Sequence, residues 1–361
     1  MKTPEGNGST LVFPAVNQAA MNYLQTARHR GEQVVCAASV ANDEISATGG
    51  VLHRLPSIYD ADFPQRALSL VREYSVRRLF CPVASVHDFM RRFVVEYRLD
   101  IELIGQSPIR QQVEQHHLLM ARARRFLPLV ELCADGAPAL SLIELAGLQR
   151  QASLIYGESN DDKLAAMMGI FASAPEGDVV EIGSLMGRSA FVLLYLARRY
   201  GIGSVLTIDP WSPNAAIQRQ SPDKFQALVD EWDFEVLSEG FLVNMAPFLA
   251  NDLAHMRLPS ESAFKSYAAG EPQLSLTGRP LAYAGMIAVI HIDGNHDYDC
   301  VKRDCELWLG GMQPGSWLVL DDYIWAHGDG PYRAGNELLH EQADRVKCAF
   351  VCGKALFVKF H

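Results

Sequence analysis

Apolar residues in this chain gather in short runs separated by stretches of helical spacing, and that alternation occurs twice. The first series begins with an apolar run from Leu11 to Phe13, followed by helical spacing from about Asn17 to Arg30 and a second run from Gln33 to Ala38. After a loop around Pro56 come a helical stretch from Pro64 to Tyr74, the run "RRLFCPV" at 77–83, a helix from Val86 to Tyr97 and "DIELIG" at 100–105. Period-2 and buried runs alternating with period-3.6 stretches predict a small doubly wound α/β unit. Residues 108–172 carry helical spacing and no strand pattern, which predicts a helical connector. His116 and His117 lie within it, and neighbours on a helix face different directions, so they do not form a metal pair.

The second series predicts strands at 179–182, 205–208, 254–258, 287–292, 316–320, 347–352 and 355–360. Only Gly353 and Lys354 separate the last two, which is too short for a parallel crossover and right for a hairpin. The expected architecture is therefore α/β throughout. Residues 1–107 form a Rossmann-like domain, 108–172 a helical connector, and 173–361 a doubly wound seven-stranded sheet ending in an antiparallel hairpin.

At 361 residues the chain is long for one core, in keeping with two domains. Its 42 acidic and 32 basic side chains give a net charge of -10 with no basic stripe, which argues against nucleic acid and anionic membrane as partners. A small molecule suits it better. The seven cysteines are odd in number, scattered and without a CxxC pair, so they read as reduced residues. With no export signal and no run of 18 apolar residues, a cytoplasmic location is expected. An extra domain and a long helical stretch suit self-association into a homo-oligomer.

The first series, above all "HRLPSIYDADFPQRALSLVREYSVRRLFCP", resembles the pre-ATP-grasp domain of carboxylate-amine ligases. Its first turn, "FPAVNQAA", has no glycine where a phosphate would approach, so the domain reads as a scaffold or recognition unit. In the second series, "DVVEIGSLMGRSAFVLLYLARR" gives a buried strand, a glycine turn and a helix. A dinucleotide fingerprint would need G-x-G-x-x-G, whereas Gly183 and Gly187 stand at G-x-x-x-G spacing. The pattern E-x-G-x-x-x-G-x-S, here Glu181, Gly183, Gly187 and Ser189, resembles the first motif of class I S-adenosylmethionine-dependent methyltransferases. Glycines let backbone approach the cofactor's methionine part, and a helix N-terminus receives its carboxylate. The cofactor set expected is Glu181, Gly183, Ser184, Gly187, Ser189, Asp209 and Trp211, with Asp209 at a strand tip suited to ribose hydroxyls. The plainer reading is a tight turn, with Trp211 packed in the core.

Two further strands, "MIAVIHIDGNHDYD" and "GSWLVLDDYIWAHGDG", both end in carboxylates that open on one crevice. Asp293, Asp321 and Asp322, converging with no lysine or arginine, would repel one another unless a divalent cation lay among them, and oxygen ligands point to magnesium. I-D-G-x-H-x-Y-x-x-V-x-x-D with L-V-L-D-D-Y resembles the macrocin O-methyltransferase group, over about residues 155–361. The resemblance implies Asp293, Asp321 and Asp322 as metal ligands. Where that group has an acidic residue after the glycine, this chain has Asn295, and residues 210–248 have no counterpart. Two candidates remain for the general base: metal-bound Asp293, or His296, whose unperturbed pKa near 6.5 suits neutral pH. His296 packed at the sheet edge is the plainer alternative. Tyr298, Tyr323, His327 and Arg333 are pocket or surface candidates, and His291 reads as a satisfied buried histidine.

The function expected is a magnesium-assisted, S-adenosylmethionine-dependent O-methyltransferase acting on a hydroxyl of a sugar or sugar-bearing small molecule. Alternatives are a metal-independent methyltransferase and a non-catalytic binding protein on the same fold.

Overall fold

A computed structural model describes residues 8–42, 45, 51–222, 227, 229–248 and 250–361, and the chain divides into two compact units, Met1–Leu118 and Leu119–His361. The first seven residues of the expected N-terminal domain lie outside the described ones. Among the described residues no helix is long and apolar enough to cross a membrane.

The first unit runs β1 (Ser9–Val12), α1 (Gln18–His29), β2 (Val34–Ala38), β3 (Leu52–Arg54), α2 (Phe63–Glu73), β4 (Val76–Phe80), α3 (Ala84–Glu96) and β5 (Glu102–Leu103). The strands form a parallel sheet in the order β3-β2-β1-β4-β5. Asn17 starts α1 by accepting the Ala20 amide at 3.0 Å. Leu11, Phe13, Phe63 and Leu79 fill one side of the sheet, and Val12, Ala20 and Leu24 the other. The strand β3 lies where a loop was expected, because three residues are too few to show a period.

Helix α4 (Pro108–Cys133) spans the boundary, and α5 (Leu142–Leu154) and α6 (Asp161–Ile170) follow it. The expected connector is more than a connector from Leu119 onward: Met120, Phe126, Leu145 and Met167 share a core with the following sheet. Ser141 and Glu144 cap α5 reciprocally, and Asn160 caps α6.

Then come β6 (Asp178–Ile182), α7 (Arg188–Tyr200), β7 (Val205–Ile208), α8 (Pro213–Ala216), α9 (Phe234–Met245), β8 (Leu253–Met256) and α10 (Ser260–Ala268). A two-residue pair, β9 (Gln273–Leu274) and β10 (Pro280–Leu281), leads to β11 (Ile287–Ile292), α11 (Tyr298–Trp308), β12 (Met312–Leu320), α12 (Gly330–Glu341), β13 (Val346–Cys352) and β14 (Ala355–Phe360). The large sheet has the order β13-β14-β12-β11-β6-β7-β8. It is parallel except at β14, which is antiparallel to both neighbours, so the expected seven-stranded sheet with its final hairpin is the fold observed. Every residue of β6, β7 and β11 is buried, as strands covered on both faces must be. β12 begins at Met312, four residues before the expected start; Pro314 and a left-handed Gly315 interrupt the apolar run that would have announced it.

The chain winds from β6 outward through β7 to β8, then crosses back to β11 on the other side of β6. That reversal leaves a crevice above the carboxyl ends of β6 and β11. At its opposite end the sheet is tied by Asp178, 2% exposed, which accepts Tyr267 Oη at 2.8 Å and the amides of Ala284 and Gly285 at 2.9 and 2.8 Å. Asp178→Ala leaves the buried Tyr267 hydroxyl without its acceptor and releases the two exposed amides, and is expected to lower stability by about 2 kcal/mol. Urea unfolding checks this; a loss under about 1 kcal/mol would show that the Tyr267 hydroxyl finds another partner.

Candidate active site

The turn after β6 is dictated by how close two backbones come. Gly183 has φ +83°, and a Cβ there would lie 1.9 Å from the Asp293 carbonyl oxygen at the tip of β11, so only glycine fits. Gly187, φ +91°, caps α7. Asp209, following β7, braces this turn: Oδ2 accepts the amides of Ser184 and Leu185 at 2.9 and 3.0 Å, and Oδ1 accepts that of Trp211 at 2.9 Å. Burial raises the Asp209 carboxyl above its ordinary range, against those three bonds, which pull it down. Trp211 Nε1 donates to the Leu185 carbonyl at 3.0 Å while its ring packs 4.5 Å from His255 and 5.4 Å from Phe241. Turn and tryptophan therefore form one locked assembly.

Glu181 is not where the sequence places it. Its side chain is fully buried, it does not line the cleft described below, and Oε1 sits 3.1 Å from His291 Nδ1. The cause is register: Glu181 and His291 are directly paired on β6 and β11, so their side chains share a face inside the layer.

The carboxylates do converge, since Asp293 N donates to the Ile182 carbonyl at 2.7 Å and Asp321 N to the Ile292 carbonyl at 2.9 Å, aligning three strand tips. The expectation that no lysine accompanies them is overturned. Lys163, from α6, is completely buried, and its ammonium forms a close ion pair with Asp321 Oδ2 while lying 3.4 Å from Asp293 Oδ2 and 3.4 Å from His291 Nε2. Lys354, from the final hairpin, donates to Asp322 Oδ1 at 2.6 Å. Repulsion is thus relieved from within the chain. Burial would raise Asp321, but the Lys163 charge overrides it and holds that carboxyl well below the usual range. Asp293 is raised above the usual carboxylate range by burial and by its neighbour Asp321, against the pull of Lys163. Lys163 itself stays charged: burial disfavours the ammonium, and the carboxylates more than compensate.

Around this cluster the motif's other polar residues hold a segment in place. Asn295 Nδ2 donates to the carbonyls of Ala215 and Ile217 at 3.0 and 2.7 Å, and Asp297 accepts the amides of Arg219 and Gln220, both at 2.8 Å. Residues 215–220 are pinned across the strand tip. His296 Nδ1 lies 3.4 Å from Gln218 Nε2, and its ring meets Trp325 edge-on at 4.5 Å. His296 Nε2 is buried without a hydrogen-bond partner, 3.4 Å from Asp322 Oδ2 and 3.9 Å from Asp293 Oδ1.

One cleft of about 1550 Å³ is lined by Gly183, Ser184, Ser189, Asp209 and Trp211 and equally by Asp293, His296 and Asp322. That exceeds the few hundred to a thousand Å³ of a typical single-ligand pocket and leaves room for two molecules side by side. His327 also lines it; Gly187, Asp321, Lys163, Tyr298, Tyr323 and Arg333 do not. Arg333 stacks 4.3 Å over Tyr298, and Tyr323 Oη bonds Asn336, so these three serve packing. Sequence reading missed Lys163 and Lys354. For Lys163 a signal existed: one cation within "KLAAMMGI", eight residues that are all buried.

Residues 180–323 match the family model of a methyltransferase domain. Over that stretch the chain is similar to a methyltransferase domain. No curated protein matches it. Among solved structures, the chain is similar to the O-methyltransferase NovP (13% identity, 66% of this chain and 99% of that one, TM-score 0.39). Calicheamicin methyltransferase CalS11 (12%, 71% and 94%, 0.34) and the mycinamycin-pathway methyltransferase MycE (13%, 61% and 57%, 0.36) are similar too.

Asp304, on α11, lines the same cleft at 8% exposure, and burial raises it to about 6, partly offset by a hydrogen bond from Ser260. A carboxyl raised in the fold costs stability as pH climbs from its unfolded value near 3.9 through 6, with the full cost present above that. Asp304→Asn is therefore expected to stabilise the protein by about 2 kcal/mol at pH 8 and not at pH 4. Thermal midpoints of both proteins across that range test it, and a gap that does not change with pH would contradict it.

Proposed function

We propose that the domain transfers a methyl group from S-adenosylmethionine to a hydroxyl of a sugar or sugar-bearing small molecule, assisted by magnesium. One observation carries this reading: the glycine turn with Asp209 and the Asp293, His296, Asp322 cluster line the same cleft, so a cofactor on the first faces an acceptor on the second. The turn from Gly183 to Ser189 and the N-terminus of α7 receive the methionine part, and Ser184, Asp209 and Trp211 bound the nucleoside.

In the reaction the acceptor oxygen attacks the sulfonium methyl in line, the carbon–sulfur bond breaks, and S-adenosylhomocysteine leaves. The hydroxyl proton goes to His296 Nε2, the unpartnered nitrogen in the cleft, while Gln218 lies beside Nδ1 and the Trp325 edge fixes the ring. Asp293 and Asp322 hold the imidazolium that forms. The same atoms fit a divalent cation: one donor each from Asp293, His296 and Asp322 lie within 4.8 Å of one another. Magnesium bound by Asp293 and Asp322 would supply Lewis acidity that lowers the acceptor's pKa. Asp321 is the exception to the expected ligand set, because Lys163 holds it. A metal-independent reaction is the second reading, favoured by the two ammonium groups already opposing the carboxylates.

Calorimetric titration with S-adenosylmethionine should show binding that Gly183→Ala abolishes, and no binding by the parent protein would remove the proposal. With a panel of glycosides bearing free hydroxyls, His296→Ala should keep cofactor affinity and slow S-adenosylhomocysteine release by about 10² to 10⁴. Loss of turnover in EDTA with recovery in magnesium is the expected metal response; full turnover in EDTA would select the metal-independent reading.

A further inference from the structure

Two groups of donors among the described residues are spaced to hold a metal ion: His291, Asp293 and Asp321, and Asp293, His296 and Asp322. They differ in what they face. The first is occupied already, because the Lys163 ammonium lies within hydrogen-bonding reach of all three side chains and is sealed from solvent. The second lines the cleft, and His296 Nε2 there makes no hydrogen bond, with Asp322 Oδ2 3.4 Å away. Asp293 belongs to both groups, so the ammonium and a bound cation would share one carboxylate and repel each other across it.

We propose that Lys163 is a resident cation that takes Asp321 out of the metal-binding set, so that a divalent ion is held through Asp293 and Asp322 on the cleft side alone and weakly. Asp321 is then a positioning residue acting through Lys163. Its second oxygen supports the assignment: Asp321 Oδ1 is buried with no partner, the lone oxygen of a carboxylate whose other half is fully engaged, and it turns into a ligand once the ammonium is gone. Helix α6 is rigidly placed to deliver the charge, since Asn160 caps it and donates to the Gly353 carbonyl in the final hairpin at 3.1 Å. This inference rests on the metal-assisted reading.

The test uses the full chain, manganese as the probe, and electron paramagnetic resonance of the free ion, without cofactor. Lys163→Met should bind manganese at least about tenfold more tightly than the parent, because Asp321 is then freed to join Asp293 and Asp322, with the Lys354 ammonium left on Asp322. Asp321→Asn, which leaves the ammonium on Asp293 alone, should weaken manganese binding but retain it, whereas Asp322→Asn should abolish it. If Lys163→Met folds only on addition of manganese, that is the same gain, read by circular dichroism; failure to fold with the metal present overturns the proposal. Equal or weaker manganese binding by Lys163→Met overturns it, as does loss of binding in Asp321→Asn comparable to that in Asp322→Asn. S-adenosylmethionine titration of the same variants keeps the outcomes separate: retained cofactor binding leaves the methyltransferase assignment standing whatever Lys163 does.

Discussion

The contact on which the candidate site depends is the buried ion pair between Lys163 and Asp321. A bare ammonium in the interior is prohibitively costly, and removing one partner of such a pair typically costs about 3 to 5 kcal/mol. Here the cost is met by distributing the charge: Lys163 touches Asp321 and reaches Asp293 and His291, and His291 in turn reaches Glu181. The chain of polar groups crosses β6, β11 and β12 in order. It fixes the tips of three central strands to the helix in front of them, so the cleft-facing groups are mounted on the stiffest part of the unit.

That arrangement explains why a run as chemically suggestive as Asp293-Gly294-Asn295-His296-Asp297 divides its labour. Asn295 and Asp297 spend polar atoms on the backbone of residues 215–220, whereas His296 Nε2 is left without a hydrogen-bond partner. Asp209 is used similarly, with three amides on one carboxylate. Buried carboxylates are stable here because each is matched to donors that the local turn already presents. Asp322 is the point of strain: a non-glycine residue at φ +49°, held by Lys354, directly at the tip of β12.

The strands were legible because their signal is local. Val289, Ile290 and Ile292 announce a buried strand with no knowledge of the rest of the chain, and the two-residue link at Gly353 and Lys354 announces a hairpin. What was illegible was every pairing made at long range. Lys163 and Asp321 are 158 residues apart, and nothing near either one names the other. The same holds for Glu181, whose motif suggested a ligand contact but whose register with His291 turned it inward. The helices from Leu119 to Ile170 read as a connector because helical spacing shows which face is apolar and not what covers it. β3 and the first half of β12 were lost to brevity and to the Pro314-Gly315 interruption.

The charge balance of the cluster ties these strands of argument together. Four carboxylates, on Glu181, Asp293, Asp321 and Asp322, stand against two ammonium groups, so the cluster carries a residual negative charge. Burial decides where that excess lies. Asp321 and Glu181 are sealed against Lys163 and His291, whereas the Asp293 side chain keeps 21% of its surface exposed and, with Asp322, borders the cleft. With Asp322 held by Lys354, it is Asp293 that presents charge on the wall that, on the proposed reading, receives a sulfonium and a metal ion. Because the opposing charges are fixed by the fold, they need no reorganisation when a cation arrives, which is the condition under which electrostatics contributes most to a reaction in which charge moves. A buried lysine that does not reach the cleft therefore shapes the chemistry there, by deciding which carboxylates are left to act.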